Sequence, residues 1–400
     1  MMSETNNKVI LSRRHFLTYS GIAIGGITVS STLRKSYAAQ EPVLTNVNAL
    51  SSVSEIATPS LENPVRLNFN ENALGMSPNA KQAAITAVSK ANRYAKHEMP
   101  LLSLAIAKHH NLNSDYVLLT AGSSEGIRSS IVAFTKEKTQ FVIPELTYGD
   151  GEYFAKIANL PVIKVPNLTD WAIDIEGLIN KVEQYSGYSI VYLVNPNNPT
   201  STITDTKKVF DWIRSKPKNT IFIVDEAYAE FVNDASYQSV DTLIEQGYEN
   251  VILLKTFSKI HAMAGLRVGY VLANPIHIKN IAQYVAGEKL NYCGVCAALA
   301  SMEDQSYLKY SKKVTDTSRL IMEQVLKELD LYYVASETNF IFHKIPIALN
   351  EYQQLLKDKF ILVGRAFPPA NGWCRISLGT PGEMLYTATI LKQLREQNFI

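Results

Sequence analysis

From Tyr116 onward, short apolar runs alternate with amphipathic stretches. The runs Val117–Thr120, Gln140–Ile143, Pro161–Val165, Ser189–Val194, Thr220–Val224, Val251–Leu254 and Val268–Leu272 are each four to six residues long. Their apolar residues are mostly consecutive rather than alternate, so they predict largely buried strands of an α/β sheet. Further on, Ser306–Leu329 carries charges at helical spacing and predicts a long helix, while Phe340–Phe342, Ile361–Val363 and Cys374–Leu378 predict strands of a second, smaller sheet. The expected architecture is a large α/β domain over residues 96–325 and a smaller α+β domain, formed by residues 326–400 with an N-terminal contribution and arm from 65–95. The stretch Gln40–Asn63 is rich in Ser, Thr, Asn and Pro and has no firm period, so residues 39–64 are expected to be a linker or arm. No internal repeat, low-complexity tract or membrane-spanning run follows residue 40.

The first forty residues have a different character. Ser12-Arg13-Arg14-His15-Phe16-Leu17-Thr18 precedes a weakly apolar, Gly-containing run from Tyr19 to Leu33, then Arg34-Lys35 and Ser36-Tyr37-Ala38. This resembles a twin-arginine export signal over residues 1–38, with cleavage expected after Ala38; Thr18 stands where Lys is usual. The run is short and polar for a membrane span. The resemblance implies a periplasmic protein carried folded by the twin-arginine machinery, a route that lets a cofactor loaded in the cytoplasm cross with its enzyme. The alternative is a basic tail or uncleaved anchor on a cytoplasmic enzyme.

Charge and composition narrow the function. The chain of 400 residues is 46% hydrophobic and 19% charged, enough to bury a large core. Its net charge is +2, but Lys8, Arg13, Arg14, Arg34 and Lys35 precede Ala39 with only Glu4 against them, which leaves 34 basic and 36 acidic residues, a net of −2. A nearly neutral remainder without Lys/Arg runs offers no electrostatic footprint for nucleic acid or an anionic membrane. Small-molecule chemistry is the better expectation. Three cysteines, Cys293, Cys296 and Cys374, are too few for a disulfide framework. Cys293-Gly294-Val295-Cys296 has the spacing of a redox pair or half a metal site, but no second Cys or His pair completes a zinc site, and small residues opening a helix near a dimer interface are the alternative.

The candidate chemistry sits at the ends of the predicted strands. Leu254-Lys255-Thr256-Phe257-Ser258-Lys259 leaves one strand and Ala264-Gly265-Leu266-Arg267-Val268-Gly269 enters the next. Thr256, Ser258 and Arg267 supply hydroxyls and a bidentate guanidinium, the groups that hold a phosphate dianion, and a lysine beside them points to pyridoxal phosphate (PLP). In Thr120-Ala121-Gly122-Ser123-Ser124-Glu125-Gly126 a strand ends, a glycine permits a tight turn and a helix starts; Ser123 and Ser124 are phosphate ligands there, or ordinary helix caps. Asp225, after the apolar run Ile221–Val224, is placed either to meet a pyridine nitrogen or to cap a helix; Tyr228 follows three residues on, within reach of the ring's phenolic oxygen. Asn195-Pro196-Asn197-Asn198-Pro199-Thr200 again follows a strand and presents Asn198 toward the same oxygen.

Together with Asn68-Phe69-Asn70-Glu71-Asn72 and Arg375-Ile376-Ser377-Leu378-Gly379-Thr380, these motifs resemble the class I/II aminotransferases over roughly Val65–Met384, most closely the histidinol-phosphate aminotransferase branch. The resemblance implies the aspartate-aminotransferase-like PLP fold type I and a homodimer. It implies that Lys259 holds PLP as a Schiff base, that Asp225 pairs with the ring nitrogen and that Asn198 and Tyr228 bind the ring oxygen. Tyr148 would stack on the ring. Ser123, Ser124, Thr256, Ser258 and Arg267 would hold the phosphate, with Tyr94 reaching in from a second subunit, and Arg375 would clamp a substrate carboxylate. No metal is expected. Ser201 stands where the family usually has Gly, and Gly364 before Arg365 departs from many relatives, which leaves a substrate role for Arg365 open.

The implied reaction moves an amino group between an amino acid or related amine and a 2-oxo acid by a ping-pong route. The same cofactor also supports racemisation, epimerisation or decarboxylation, so the motifs fix the cofactor more firmly than the reaction. A non-catalytic exported binding protein is the third alternative, opposed by the intact Lys259, Asp225 and Arg267. Export would also separate the chain from histidine biosynthesis, a cytoplasmic pathway.

Overall fold

The computed structural model of the chain describes Lys8, Val9, residues 56–288 and residues 290–400. Nearly all of the expected signal and most of the expected linker lie outside these residues. After β1 (Val65–Leu67), helices α1 (Pro78–Ala87) and α2 (Glu98–His109) lead into the main sheet. Its strands are β2 (Val117–Thr120), β3 (Thr139–Pro144), β4 (Val162–Val165), β5 (Tyr188–Val194), β6 (Thr220–Asp225), β7 (Val251–Thr256) and β8 (Gly269–Leu272), ordered β2-β8-β7-β6-β5-β3-β4. Each of the seven predicted runs is a strand of this sheet. The pairs from β7 through β4 are parallel, whereas β8 runs against both β7 and β2.

The consecutive apolar residues follow from helices on both faces. Ile190, Tyr192 and Val194 of β5 pack with Ile127, Ile131 and Phe134 of α3 (Ser123–Phe134), and Ala155 of α4 (Gly149–Ile157) belongs to the same cluster. Val191 and Leu193 point the other way, into a cluster with Leu178 and Val182 of α5 (Ile175–Glu183) and Phe210 and Ile213 of α6 (Thr206–Arg214). A strand covered on both sides needs apolar residues at every position, and β3, β6, β7 and β8 are buried throughout.

A second core gathers around the long helix Gln305–Glu328, whose start is capped by the Asp304 side chain accepting from the Tyr307 N–H. Met322, Val325 and Leu326 of that helix pack with Ile341 of β9 (Phe340–Lys344), Ile361 of β10 (Ile361–Val363) and Ile376 of β11 (Trp373–Ser377). The expected single small sheet is instead two pairs. β9 and β11 are antiparallel, but β10 pairs in parallel with β1. The reason lies in β1, whose Val65 and Leu67 face the second core while Arg66 faces out, so this N-terminal piece supplies the edge that β10 takes. Beyond β10 one backbone bond, Gly364 N–H to the Arg375 carbonyl at 3.0 Å, ties its end to β11.

Candidate active site

The parallel strands β3, β5, β6 and β7 all end at one edge of the main sheet. Because β8 is reversed, its first residue, Gly269, lies at that same edge opposite Thr256 of β7 and Thr120 of β2. Ligands of open α/β sheets bind at such carboxyl edges. Here the edge opens into a cavity of about 280 Å³. Ser123, Ser124, Tyr148, Asn198, Asp225, Tyr228, Thr256, Ser258, Lys259, Arg267 and Arg375, every candidate residue except Tyr94, line it. Tyr94 is 68% exposed on the segment between α1 and α2, outside the cavity lining.

One end of the cavity is built for an anion. Gly122, at φ 80°, caps α3 without a side-chain hydrogen bond, and Ser123 and Ser124 of its first turn line the cavity at the positive end of the helix dipole. A Cβ at Gly122 would lie 2.4 Å from Nη2 of Arg267, so only glycine lets that guanidinium lie against the helix start. Arg267 is itself held in the left-handed region at φ 52° and donates from Nη1 to the Ala264 carbonyl at 3.0 Å. Thr256 Oγ1 donates to Ser258 Oγ at 2.9 Å and accepts from the Ser258 N–H at 3.1 Å. Ser124 Oγ donates to Asp150 Oδ2 at 2.7 Å, an acceptor it shares with the Tyr148 hydroxyl at 3.0 Å. Burial and the neighbouring Asp150 push the Tyr148 phenol up, so it remains a donor.

At the centre, the last residue of β6 is a buried carboxylate. Asp225 is 2% exposed, takes the Ala227 N–H on Oδ1 at 3.1 Å and the Tyr192 hydroxyl on Oδ2 at 3.2 Å, and forms no ion pair among the described residues. Burial pushes its carboxyl up to about 6, against the pull of these two donors. It does not cap a helix; the turn after it is a short 3-10 segment, Ala229–Phe231. Lys259 donates from Nζ to the Asn70 carbonyl at 3.2 Å and lies 5.4 Å from the Tyr228 ring centroid. The Tyr228 oxygen accepts from Asn70 Nδ2 and Asn198 Nδ2, each at 3.2 Å, which leaves its own proton free to donate.

The opposite wall comes from the second core. Arg375 of β11, 8% exposed, donates from Nη1 to Asn198 Oδ1 at 2.9 Å and from Nη2 to the Asn68 carbonyl at 2.7 Å, while its Nε is buried without a hydrogen-bond partner among the described residues. Arg365 also lines the cavity, stacked 4.4 Å over the Phe367 ring. Sequence reasoning missed Asp150, Tyr192 and Phe367. Tyr192 sits inside a continuous apolar run, where a tyrosine looks like core, and Asp150 looks like a helix-start acid. Cys293 and Cys296 lie in the first two turns of helix Tyr292–Glu303, outside the lining of this cavity.

A mixed sheet with one reversed strand, and a lysine on the loop that enters it, define the aspartate-aminotransferase-like, fold type I class of PLP enzymes. Residues 62–391 match the model for aminotransferase class I and II. The chain belongs to that family. A histidinol-phosphate aminotransferase of Staphylococcus aureus (strain MSSA476) is 34% identical over 328 residues, covering 78% of this chain and 86% of that protein. The crystal structure of a provisionally named histidinol-phosphate aminotransferase from Erwinia carotovora atroseptica SCRI1043 is 58% identical, with a TM-score of 0.85, over 86% of this chain and 100% of that one. Histidinol-phosphate aminotransferase from Sinorhizobium meliloti, solved in complex with pyridoxal-5'-phosphate, is 27% identical with a TM-score of 0.75, over 83% of this chain and 91% of that one. The protein is thus a PLP-dependent aminotransferase.

The residues present fit that cofactor. A phosphate suits the donors around the α3 start, and a protonated ring nitrogen suits a buried carboxylate that has two hydrogen bonds but no ion pair among the described residues. An ionised Asp225 costs the cofactor-free fold about 3 kcal/mol at neutral pH. Its folded pKa lies above the unfolded one, so this cost is absent below about pH 4 and complete above about pH 6. Cofactor-free Asp225→Asn protein should therefore be more stable than the parent at pH 8, and the difference should close as pH falls from about 6 to about 4. Urea melts across that range measure it, and a difference independent of pH would show that Asp225 is not a desolvated anion.

Proposed function

We propose that the chain transfers the amino group of an α-amino acid to a 2-oxo acid, with Lys259 as the residue that handles the proton. The observation that carries this reading is the convergence of Lys259, Asp225 and the α3 start on one cavity that also holds Arg375. PLP supplies an aldehyde for amines and a protonated ring that draws electrons from the bonds at the substrate's α carbon. Asp225 would keep the ring nitrogen protonated, Asn198 and Tyr228 would donate to the ring oxygen, and Tyr148 would pack against the ring. Ser123, Ser124, Thr256, Ser258 and Arg267 would hold the phosphate. With the cofactor bound, Lys259 would be the base that takes the proton from the substrate's α carbon and the acid that hands it back on the other side of the amine nitrogen. Arg375 binds the substrate carboxylate, and its buried guanidinium, whose pKa burial lowers, gains from a bidentate anion.

The relatives carry the name histidinol-phosphate aminotransferase. We propose amino acids instead, because the N-terminal segment resembles an export signal and export would remove the enzyme from histidine biosynthesis. We also propose a homodimer in which Tyr94 enters the partner's site. Ile85, Val88, Tyr94, Leu101 and Leu104 are each more than half exposed along α1, α2 and their connection, a concentration of apolar surface that favours a partner copy.

Three measurements test these readings. Purified protein given amino acids or histidinol phosphate with 2-oxoglutarate should lose its absorbance near about 420 nm with an amino acid donor and regain it with the oxo acid. Better turnover of histidinol phosphate would return the chain to the substrate of its relatives, and racemisation or carbon dioxide release without that cycle would replace transamination. Lys259→Ala should still fold and lose at least about 10³-fold in rate; retained turnover would sink the role of Lys259. Cell fractionation with N-terminal sequencing should find a periplasmic protein starting at Ala39, and an intact Met1 or Met2 in the cytosol would defeat export.

A further inference from the structure

Tyr192 is buried in the middle of β5, with none of its surface exposed. Its neighbours in that layer are apolar, among them Phe141, Ile190, Val194 and Ile223. A phenol placed there must find a hydrogen-bond partner or lose more than a phenylalanine would. Its partner among the described residues is Asp225. β5 and β6 are in parallel register with Val194 opposite Asp225, so Tyr192 stands two residues below the carboxylate and its hydroxyl reaches up the strand to Oδ2 at 3.2 Å.

The ring has no freedom to leave. On one side Phe141 of β3 stacks at 6.0 Å between centroids and 24° between planes. On the other, Gly151 of α4 lies so close that a Cβ there would fall 2.6 Å from two Tyr192 ring carbons. The glycine thus makes room for a tyrosine whose hydroxyl has no other hydrogen-bond partner among the described residues. Burial first, and the neighbouring Asp225 next, push the phenol well up, so it stays a donor across the working range of an enzyme.

We propose that Tyr192 is a positioning residue, whose hydroxyl fixes Oδ2 of Asp225 and so sets the orientation in which that carboxylate meets the ring nitrogen of the cofactor. The inference rests on the role of Asp225 given above. With Oδ1 held by the Ala227 N–H and Oδ2 by Tyr192, the carboxylate plane cannot turn about its Cβ–Cγ bond. Without the phenol, the Ala227 N–H is the one hydrogen-bond donor to the carboxylate left among the described residues to oppose the cost of burying the charge.

Tyr192→Phe removes one oxygen atom and keeps the ring. In cofactor-free protein labelled with ¹³C at aspartate carboxyls, the Asp225 resonance, assigned by its loss in Asp225→Asn, should titrate at higher pH in Tyr192→Phe than in the parent. In loaded enzyme, Tyr192→Phe should weaken PLP binding about 10-fold. It should also lower kcat about 10-fold, leave the KM for the amino donor within about 2-fold, and cost nothing further in an Asp225→Asn background. If Tyr192→Phe shifts only the thermal midpoint, with titration, affinity and kcat unchanged, Tyr192 is packing and the inference falls. If Asp225→Asn itself keeps full turnover and affinity, the role given to Asp225 fails, and this inference goes with it.

Discussion

Because β8 runs against both of its neighbours, the loop from Phe257 to Val268 must leave and re-enter the sheet at the same edge. Had β8 continued the parallel run, a crossover would have carried the chain to the opposite edge before it could return. The reversal keeps Ser258, Lys259 and Arg267 within one loop, facing the start of α3, which follows β2 on the far side of β8. The distances at the anion end depend on that choice: Arg267 reaches the helix start because its own strand begins there, and Gly122 leaves space for it.

A second constraint is the polar seam between the two cores. Asn70 sits on it at φ 55°. Its N–H and Oδ1 engage Ser377 Oγ at 2.8 and 2.9 Å, its Nδ2 donates to Tyr228 at 3.2 Å, and its carbonyl accepts from Lys259 and from Asn339. Arg375 crosses the same seam to Asn198. Buried polar groups of this kind are costly when any partner is missing and specific when all are present. They fix how the wall carrying Arg375 stands relative to the floor carrying Lys259, a matter that apolar packing alone leaves loosely defined.

Much of this was legible in the sequence, for physical reasons. Strands covered on both faces must be apolar at consecutive positions, so the seven runs of the main sheet announced themselves, and polar residues directly after such runs have to lie at a sheet edge. Lys259, Asp225, Asn198 and Ser123 were readable on that ground. The pairing of β10 with β1 was not, because three-residue strands carry no period and nothing local records a partner from the other end of the chain. Tyr192 was hidden by its own surroundings: a hydroxyl that serves one buried carboxylate leaves no mark in a run such as Tyr188–Val194. Asp150 was hidden likewise, since an acid in the first turn of a helix is ordinary.

The parallel pairing of Val65–Leu67 with Ile361–Val363 also bears on how the protein is made. Asn68 and Asn70 follow directly on β1 and leave the ribosome 307 residues ahead of Arg375 and Ser377, their partners. The main sheet, with all its strands before Ala273, can assemble during synthesis, as domains generally fold in order of their appearance. The cavity cannot. Its second wall closes only when the segment carrying β11 returns to meet β1, so a nascent chain truncated before β11 holds a lysine and a carboxylate but no finished pocket.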